Sequence, residues 1–497
     1  MWPTHPTTAH DMIPAVGEST PTAGRPLEPT RDEFRELLVV ATDYVTGVVD
    51  RLPGGPALDL TGVENLLADT ELRRPPAETG RPLAELLGVL DRAAGKGHIN
   101  PSPGHMAYIP GSGIVSAAIA DLVADVLNRY TGLASAGPGL VAIESDLLRW
   151  LADLFDLPEH AAGILTTGGS LAAFSALVTA RHGMLPENFL AGTLYVSDQA
   201  HQSVAKAARL AGFPGDAVRV VPTDSHHRMD VSAVRGLVLE DRAAGLTPFC
   251  LVATAGTTNT GAIDPLPALA DLAGDEGMWL HVDAAYGGFF RLTERGRSRL
   301  RGIERADSLV LDAHKGLFLP FGTGCLLVRD GAALRAAHSG QPAHYLQDIE
   351  QAGLPDFANI SPELTRDARG VRLWLPLHLH GVDAFRRALD EKLDLATAAY
   401  DRLATDPNLT VVASPELSIV AFRCRLPSGS AADEDSATAE VLRRVNAEQR
   451  VFLSSTRLDG RYVGRICILN HRTDLARVTE AVEAVSGHAA ALAALAG

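Results

Sequence analysis

The chain has 497 residues, 46% hydrophobic and 21% charged, the balance of a soluble globular protein with room for more than one domain. A formal net charge of −16 runs against the basic face that a nucleic-acid partner needs. Four scattered cysteines form no CxxC pair, no signal-like segment opens the chain, and no apolar run reaches the ~18 residues of a membrane span. The expectation is a reduced cytoplasmic protein without membrane contact.

Residues 1–30, rich in Pro, Thr and Gly, read as a mobile arm. From Asp32 the spacing Phe34, Leu37, Leu38, Ala41, Val45, Val48 is helical, and Pro53-Gly54-Gly55-Pro56 ends it. A second helix is expected near Leu83–Ala94, then a Pro/Gly-dense loop from His98 to Gly113 carrying Tyr108 and Pro110. Helical periods follow over Val115–Leu127 and Gly139–Phe155.

From Gly163 short apolar runs alternate with helical stretches. The strand candidates after Gly163–Leu165 are Gly192–Val196, Val218–Val221, Pro248–Ala253, Met278–Val282, Ser308–Leu311 and Gly324–Val328. The helices between them include Ser170–His182, Val204–Ala211, Val231–Ala244 and Leu266–Asp275. That alternation predicts a mostly parallel, doubly wound α/β sheet, whose ligand sits beyond the carboxyl ends of the strands. Past Arg369 a helix should kink or restart at Pro376, and a long helix spans about Val382–Leu403. Two β runs, Leu417–Cys424 and Val451–Ser454, a hairpin turn at Asp459-Gly460 and a helix over Leu475–Val485 predict a small α+β unit.

The chemical residues collect at the strand ends. Asp312-Ala313-His314-Lys315 follows one strand; read alone, Lys315 is an ordinary surface lysine, but a lysine at a buried strand's end also suits carbonyl chemistry on its amine. Asp283 ends another strand, where a buried carboxylate needs a partner or caps a helix. Thr166-Thr167-Gly168-Gly169-Ser170 joins a strand to a helix N-terminus, a tight turn suited to an anion but lacking the pattern of a nucleotide triphosphate loop. His201 follows a third strand, and no metal-ligand spacing is present. One ligand unites them: pyridoxal 5′-phosphate (PLP), with its anion on the helix, its ring nitrogen on Asp283, its aldehyde on Lys315 and its ring against His201.

The ordered set Gly169-Ser170, His201-Gln202-Ser203-Val204, Ala253-Thr254 through Ala262-Ile263-Asp264, His281-Val282-Asp283-Ala284-Ala285-Tyr286 and Asp312-Ala313-His314-Lys315 resembles the group II PLP-dependent amino-acid decarboxylases, which include the aromatic-amino-acid, glutamate and diaminobutyrate enzymes. The resemblance runs from about residue 100 to 485. It implies the type I (aspartate-aminotransferase-like) fold, with a seven-stranded-type sheet in a large domain, and a homodimer with active sites at the interface. The organisation it implies is an arm (1–30), a helical segment packing on the dimer partner (31–100), a PLP domain (101–375) and a small domain (376–497).

By resemblance Lys315 is the Schiff-base lysine of the internal aldimine, the reaction runs through a quinonoid intermediate, Asp283 is the pyridinium partner and His201 the stacking histidine. Ala285 would lie on the other ring face, with Gly168, Gly169, Ser170 and His314 around the phosphate and Thr254 and Asp264 close by. Tyr108, Pro110 and Phe357 are the implied substrate contacts. Phe357 falls near the place of the family's loop tyrosine, counting from Tyr345-Leu346, and phenylalanine there marks relatives that form aldehydes. Gly316 replaces the tryptophan common in aromatic-substrate members, which favours an aliphatic or polar substrate. The implied reaction is α-decarboxylation of an L-amino acid. The alternatives are oxidative deamination to an aldehyde, retro-aldol cleavage, transamination (with Arg366, Arg369 or Arg465 holding a carboxylate) and a catalytically silent PLP-binding protein.

Overall fold

The computed structural model describes residues 27–340 and 353–496. Tyr345 and Leu346, from which the loop position of Phe357 is counted, lie outside these residues, as does most of the expected arm. The described chain forms two compact units, residues 27–52 with 60–96, and residues 53–59 with 97–496.

In the first unit a helix spans Arg31–Arg51. Thr30 opens it with a capping box, its side chain taking the Glu33 amide while the Glu33 carboxylate takes the Thr30 amide. A second helix, Leu83–Ala94, is tied to it by an Arg51–Asp91 ion pair at 2.9 Å. Neither helix has a buried residue, and Phe34, Leu37, Val39, Val45, Leu86 and Leu90 are exposed.

The second unit opens with three two-residue strands, β1 (Leu58–Asp59), β2 (Gly97–His98) and β3 (His105–Met106). The large sheet follows: β4 (Ala162–Thr166), β5 (Gly192–Ser197), β6 (Val218–Val221), β7 (Thr247–Thr254), β8 (Trp279–Asp283), β9 (Ser308–Leu311) and β10 (Gly324–Val328). Its order is β4-β10-β9-β8-β7-β5-β6. All strands run parallel except β10, which is antiparallel to both β4 and β9. β10 therefore returns the chain to the sheet without displacing the carboxyl ends of the other six. Strands such as β9 and β10 are buried at every position, as expected of apolar runs covered by helices on both faces.

The C-terminal part carries β11 (Leu409–Val411), β12 (Ile419–Cys424), β13 (Phe452–Leu458) and β14 (Arg461–Cys467). The sheet order is β11-β12-β14-β13-β3, so a strand from the Pro/Gly loop completes it, parallel to β13. Asp459 and Gly460 have φ of 50° and 76°, the left-handed pair of a type I′ turn. Two expectations need correction here. The helix Arg369–His380 runs through the buried Pro376 rather than restarting at it. The last helix extends past Val485, spanning Leu475–Ala496.

Candidate active site

The carboxyl ends of β4, β5, β7, β8 and β9 enclose a cavity of about 360 Å³. Lys315, Asp283, His201, Thr254, Ala285 and His314 line it, together with Gly168, Gly169 and Ser170. The turn after β9 is one short helix, Ala313–Gly316, which presents His314 and Lys315. Lys315 Nζ lies 2.8 Å from Asp312 Oδ2. On β8, Asp283 accepts the Ala285 amide at 3.1 Å through one carboxylate oxygen.

Thr166 leads from β4 into Gly168, which has φ of 152° and caps the helix Gly169–Met184. A Cβ at Gly169 would stand 3.0 Å from Asp312 Oδ2 and 3.4 Å from the Ala285 Cβ. The missing side chain leaves the helix's first amides open to the cavity, where the dipole favours an anion.

His201 caps the helix Gln202–Leu210 with its own ring: Nδ1 accepts the Ser203 amide at 3.2 Å, and the Ser203 hydroxyl lies 2.8 Å away. Nδ1 is thus an acceptor, which places the proton of the neutral ring on Nε2. Burial holds His201 below the ordinary histidine range, while the Asp283 charge opposes that shift. His314 is fixed the other way round: Nδ1–H donates to the Thr323 carbonyl at 3.0 Å, and burial lowers its pKa too. The site therefore holds two neutral histidines of opposite tautomer.

Residues 97–425 match the model of the pyridoxal-dependent decarboxylase conserved domain. The chain belongs to the pyridoxal-dependent decarboxylase family. It is 34% identical over 453 residues to an aromatic-L-amino-acid decarboxylase of Bacillus atrophaeus, covering 90% of this chain and 93% of that one. It is 33% identical over 454 residues to an L-2,4-diaminobutyrate decarboxylase of Rhizobium meliloti (strain 1021), with 89% of each covered. Its fold superposes on the crystal structure of Oryza sativa TDC with PLP and tryptamine at a TM-score of 0.88 and 27% identity, over 94% of this chain and 99% of that one. The chain thus has the type I PLP fold, and its activity class is PLP-dependent amino-acid decarboxylation.

The cavity fits a decarboxylase's cofactor on its own evidence. The Thr254 hydroxyl is buried there with no hydrogen-bond partner in the protein, an orphan that a ligand would satisfy. An amine, a carboxylate and an open helix N-terminus supply the three kinds of partner that an aldehyde, a protonated ring nitrogen and a phosphate require.

The remaining expected residues do not line this cavity. Asp264 does not reach the cavity: its carboxylate takes the amides of Met229 and Thr254, both at 2.7 Å, and so fixes the backbone beneath Thr254. Tyr108 and Pro110 lie off the cavity wall; Tyr108 is half exposed with φ of 55°, held by a Ser454 hydroxyl on its amide at 3.0 Å. Phe357 is 1% exposed and sits under the Arg366 guanidinium, 4.5 Å from the ring centre, so its position is a core one in this chain.

Of the three arginines, Arg366 pairs with buried Glu144 at 2.6 Å and Arg369 with Glu363 at 2.7 Å. Arg465 donates to Ser454 Oγ at 2.7 Å and to the carbonyls of Asn259, Tyr108 and Thr258. Gly316 has a reason independent of substrate: a Cβ there would come 2.7 Å from that of Phe289, which fills the adjoining space. Asp312, Ser203 and Tyr286, which the motifs contain without a role assigned to them, also lie on the cavity wall.

Proposed function

We propose that this decarboxylase acts on an aliphatic or polar L-amino acid, releasing CO2 and the corresponding amine, with Lys315, Asp283 and His201 as its central residues. The observation that carries the reading is their convergence on one cavity with the open helix N-terminus of Gly169–Met184. In this reading Lys315 holds the cofactor's carbonyl carbon, Asp283 its ring nitrogen, and Gly168, Gly169 and Ser170 its phosphate. When bound, the cofactor supplies an electron sink for the pair left on the substrate Cα as CO2 departs. Asp283 keeps a proton on the ring nitrogen through its opposite charge. His201 offers a neutral ring face with its Nε2–H free of the capping bonds, and Ala285 supports the opposite face without bulk.

The cavity wall has few aromatic side chains, Tyr286 and Phe321 among them, which suits a substrate without a large ring. The named relatives at 34% and 33% identity act on substrates of both kinds, so they do not choose between them. We also assign the protein to a cytoplasmic homodimer, with the segment 31–100 against the partner. The helix Val115–Leu127 leaves Ile119, Leu122, Val123 and Val126 exposed along one face, the spacing of a helix that packs on something. No helix of the described residues is long and apolar enough to cross a membrane, and all four cysteines are free and buried.

The test is a product assay on PLP-loaded protein, with each common amino acid, ornithine and 2,4-diaminobutyrate supplied in turn. CO2 with a matching amine from an aliphatic or polar substrate is expected. Turnover confined to tryptophan, tyrosine or phenylalanine would overturn the substrate class, and aldehyde with peroxide would overturn the simple decarboxylation.

A further inference from the structure

Asp312 is the one carboxylate in the cavity that the chemistry above does not use. It is 2% exposed, and it occupies a slot made by two glycines far apart in the sequence that the pairing of β4 with β10 brings together. A Cβ at Gly169 would stand 3.0 Å from Oδ2, and one at Gly324 would stand 2.9 Å from Oδ1. The fold therefore makes room for a side chain of this size beside the helix N-terminus.

Its hydrogen bonding is incomplete. Oδ2 has Lys315 Nζ at 2.8 Å, and Oδ1 is buried without a partner. His314 Nε2 lies 3.6 Å from Oδ2. Because His314 Nδ1–H is spent on the Thr323 carbonyl, the neutral ring turns a lone pair toward the carboxylate. Two acceptors face each other, an arrangement that a proton between them relieves. The other titratable groups around Asp312 are His201 and Asp283 across the cavity and Cys325 on β10. Lys315 is the nearest cation, and it is the group assigned to the cofactor's carbonyl.

The inference rests on the placement of the cofactor's phosphate at Gly168–Ser170. Given that placement, a dianion and a carboxylate share one buried corner, and two adjacent anions there bind a proton between them. We infer that Asp312 shares a proton with the cofactor's phosphate, so that cofactor binding takes up a proton and weakens as pH rises. The proton comes from solvent on binding and returns on release, with no bond to carbon made or broken.

The probe is 4-deoxypyridoxine 5′-phosphate, which carries the ring and the phosphate but no aldehyde, bound to Lys315→Ala protein so that no ammonium stays beside Asp312. Its affinity is measured from pH 7 to 9, above the usual second phosphate pKa of about 6, for Lys315→Ala and for Lys315→Ala combined with Asp312→Asn. The asparagine keeps the shape and removes the charge, while pH effects on the ring nitrogen are common to both proteins. The affinity of Lys315→Ala should fall more steeply than that of the double variant, by up to about tenfold more per pH unit at full coupling. Calorimetry in buffers of differing ionisation enthalpy should show about one more proton taken up than in the double variant.

Parallel pH curves and equal proton uptake would overturn the inference while leaving the cofactor assignment intact. Failure of the unsubstituted protein to bind either this probe or PLP would overturn the cofactor reading, and the inference with it. Should the variants not fold, the phosphorus resonance of PLP bound to the wild type decides: a monoanion-like position at pH 8 supports the shared proton, and a dianion position refutes it.

Discussion

Arg366 offers the sharpest test of how the structure distributes its charges. Its side chain is fully buried, as is that of Glu144 at 1% exposure, and the two meet at 2.6 Å. Arg366 also donates to the Leu165 carbonyl at 3.1 Å, two residues before the Thr167–Gly168 turn of the cavity. Replacing it by methionine strands a carboxylate in the core, and breaking one partner of a buried pair costs roughly 3–5 kcal/mol.

Two Arg366 nitrogens and one Glu144 oxygen have no partner in the protein, so the pair is imperfectly compensated. Removing both charges at once, with Glu144→Leu and Arg366→Met, should therefore be close to neutral or stabilising. The assay is urea denaturation of both variants and of Glu144→Leu alone, with steady-state kinetics on the folded proteins. The single Arg366 variant should lose stability, the double variant should regain it, and KM should hold. Loss of less than about 1 kcal/mol, which is the range of surface pairs, or a large rise in KM with normal stability would show that Arg366 serves a substrate carboxylate instead.

Lys315→Ala should abolish turnover and the visible absorbance of bound PLP; turnover near the wild-type level would remove Lys315 from its assigned role. Phe357→Tyr should leave the ratio of amine to aldehyde unchanged and lower the denaturation midpoint, since it forces a hydroxyl into the buried contact beneath Arg366; a changed ratio would show that the residue reaches the reaction. Burial raises Asp264 from 3.8 to about 6, against the two amides that lower it. A raised carboxyl stabilises the folded state below its unfolded pKa, and that stability is lost as pH rises through the folded value. The stability difference between wild type and Asp264→Asn should thus shift between about pH 4 and 6 and stay level above; a difference constant across that window would refute the assignment.

Much of the cofactor sheet was legible because its strands are short apolar runs closed by turns. Ser308–Leu311, Val218–Val221 and Gly324–Val328 have the same limits in sequence and structure. Strand direction was not legible: nothing in Gly324–Val328 says that it runs antiparallel between β4 and β9, because a fully buried strand has the same pattern either way. The helix Ala431–Ala447 escaped a reading based on apolar spacing, yet Ser430 and Asp433 form a capping box that marks its start. Phe357 was placed by counting along a loop, and counting carries no information about the guanidinium that covers it. The environment of Asp312 depends on Gly169 and Gly324, which become neighbours only once β4 and β10 have paired.

The pairing of β3 with β13 bears on the order in which the protein can be made. The Tyr108 amide waits for Ser454, 346 residues downstream, and β3 waits for Phe452 and Leu453. On the ribosome the seven cofactor strands can assemble while this loop has no sheet to join, and such distant closure is slow. A chain stopped before Phe452 would hold the residues that grip the cofactor but leave the loop carrying Tyr108 without its clasp, a half-finished product for proteases to recognise.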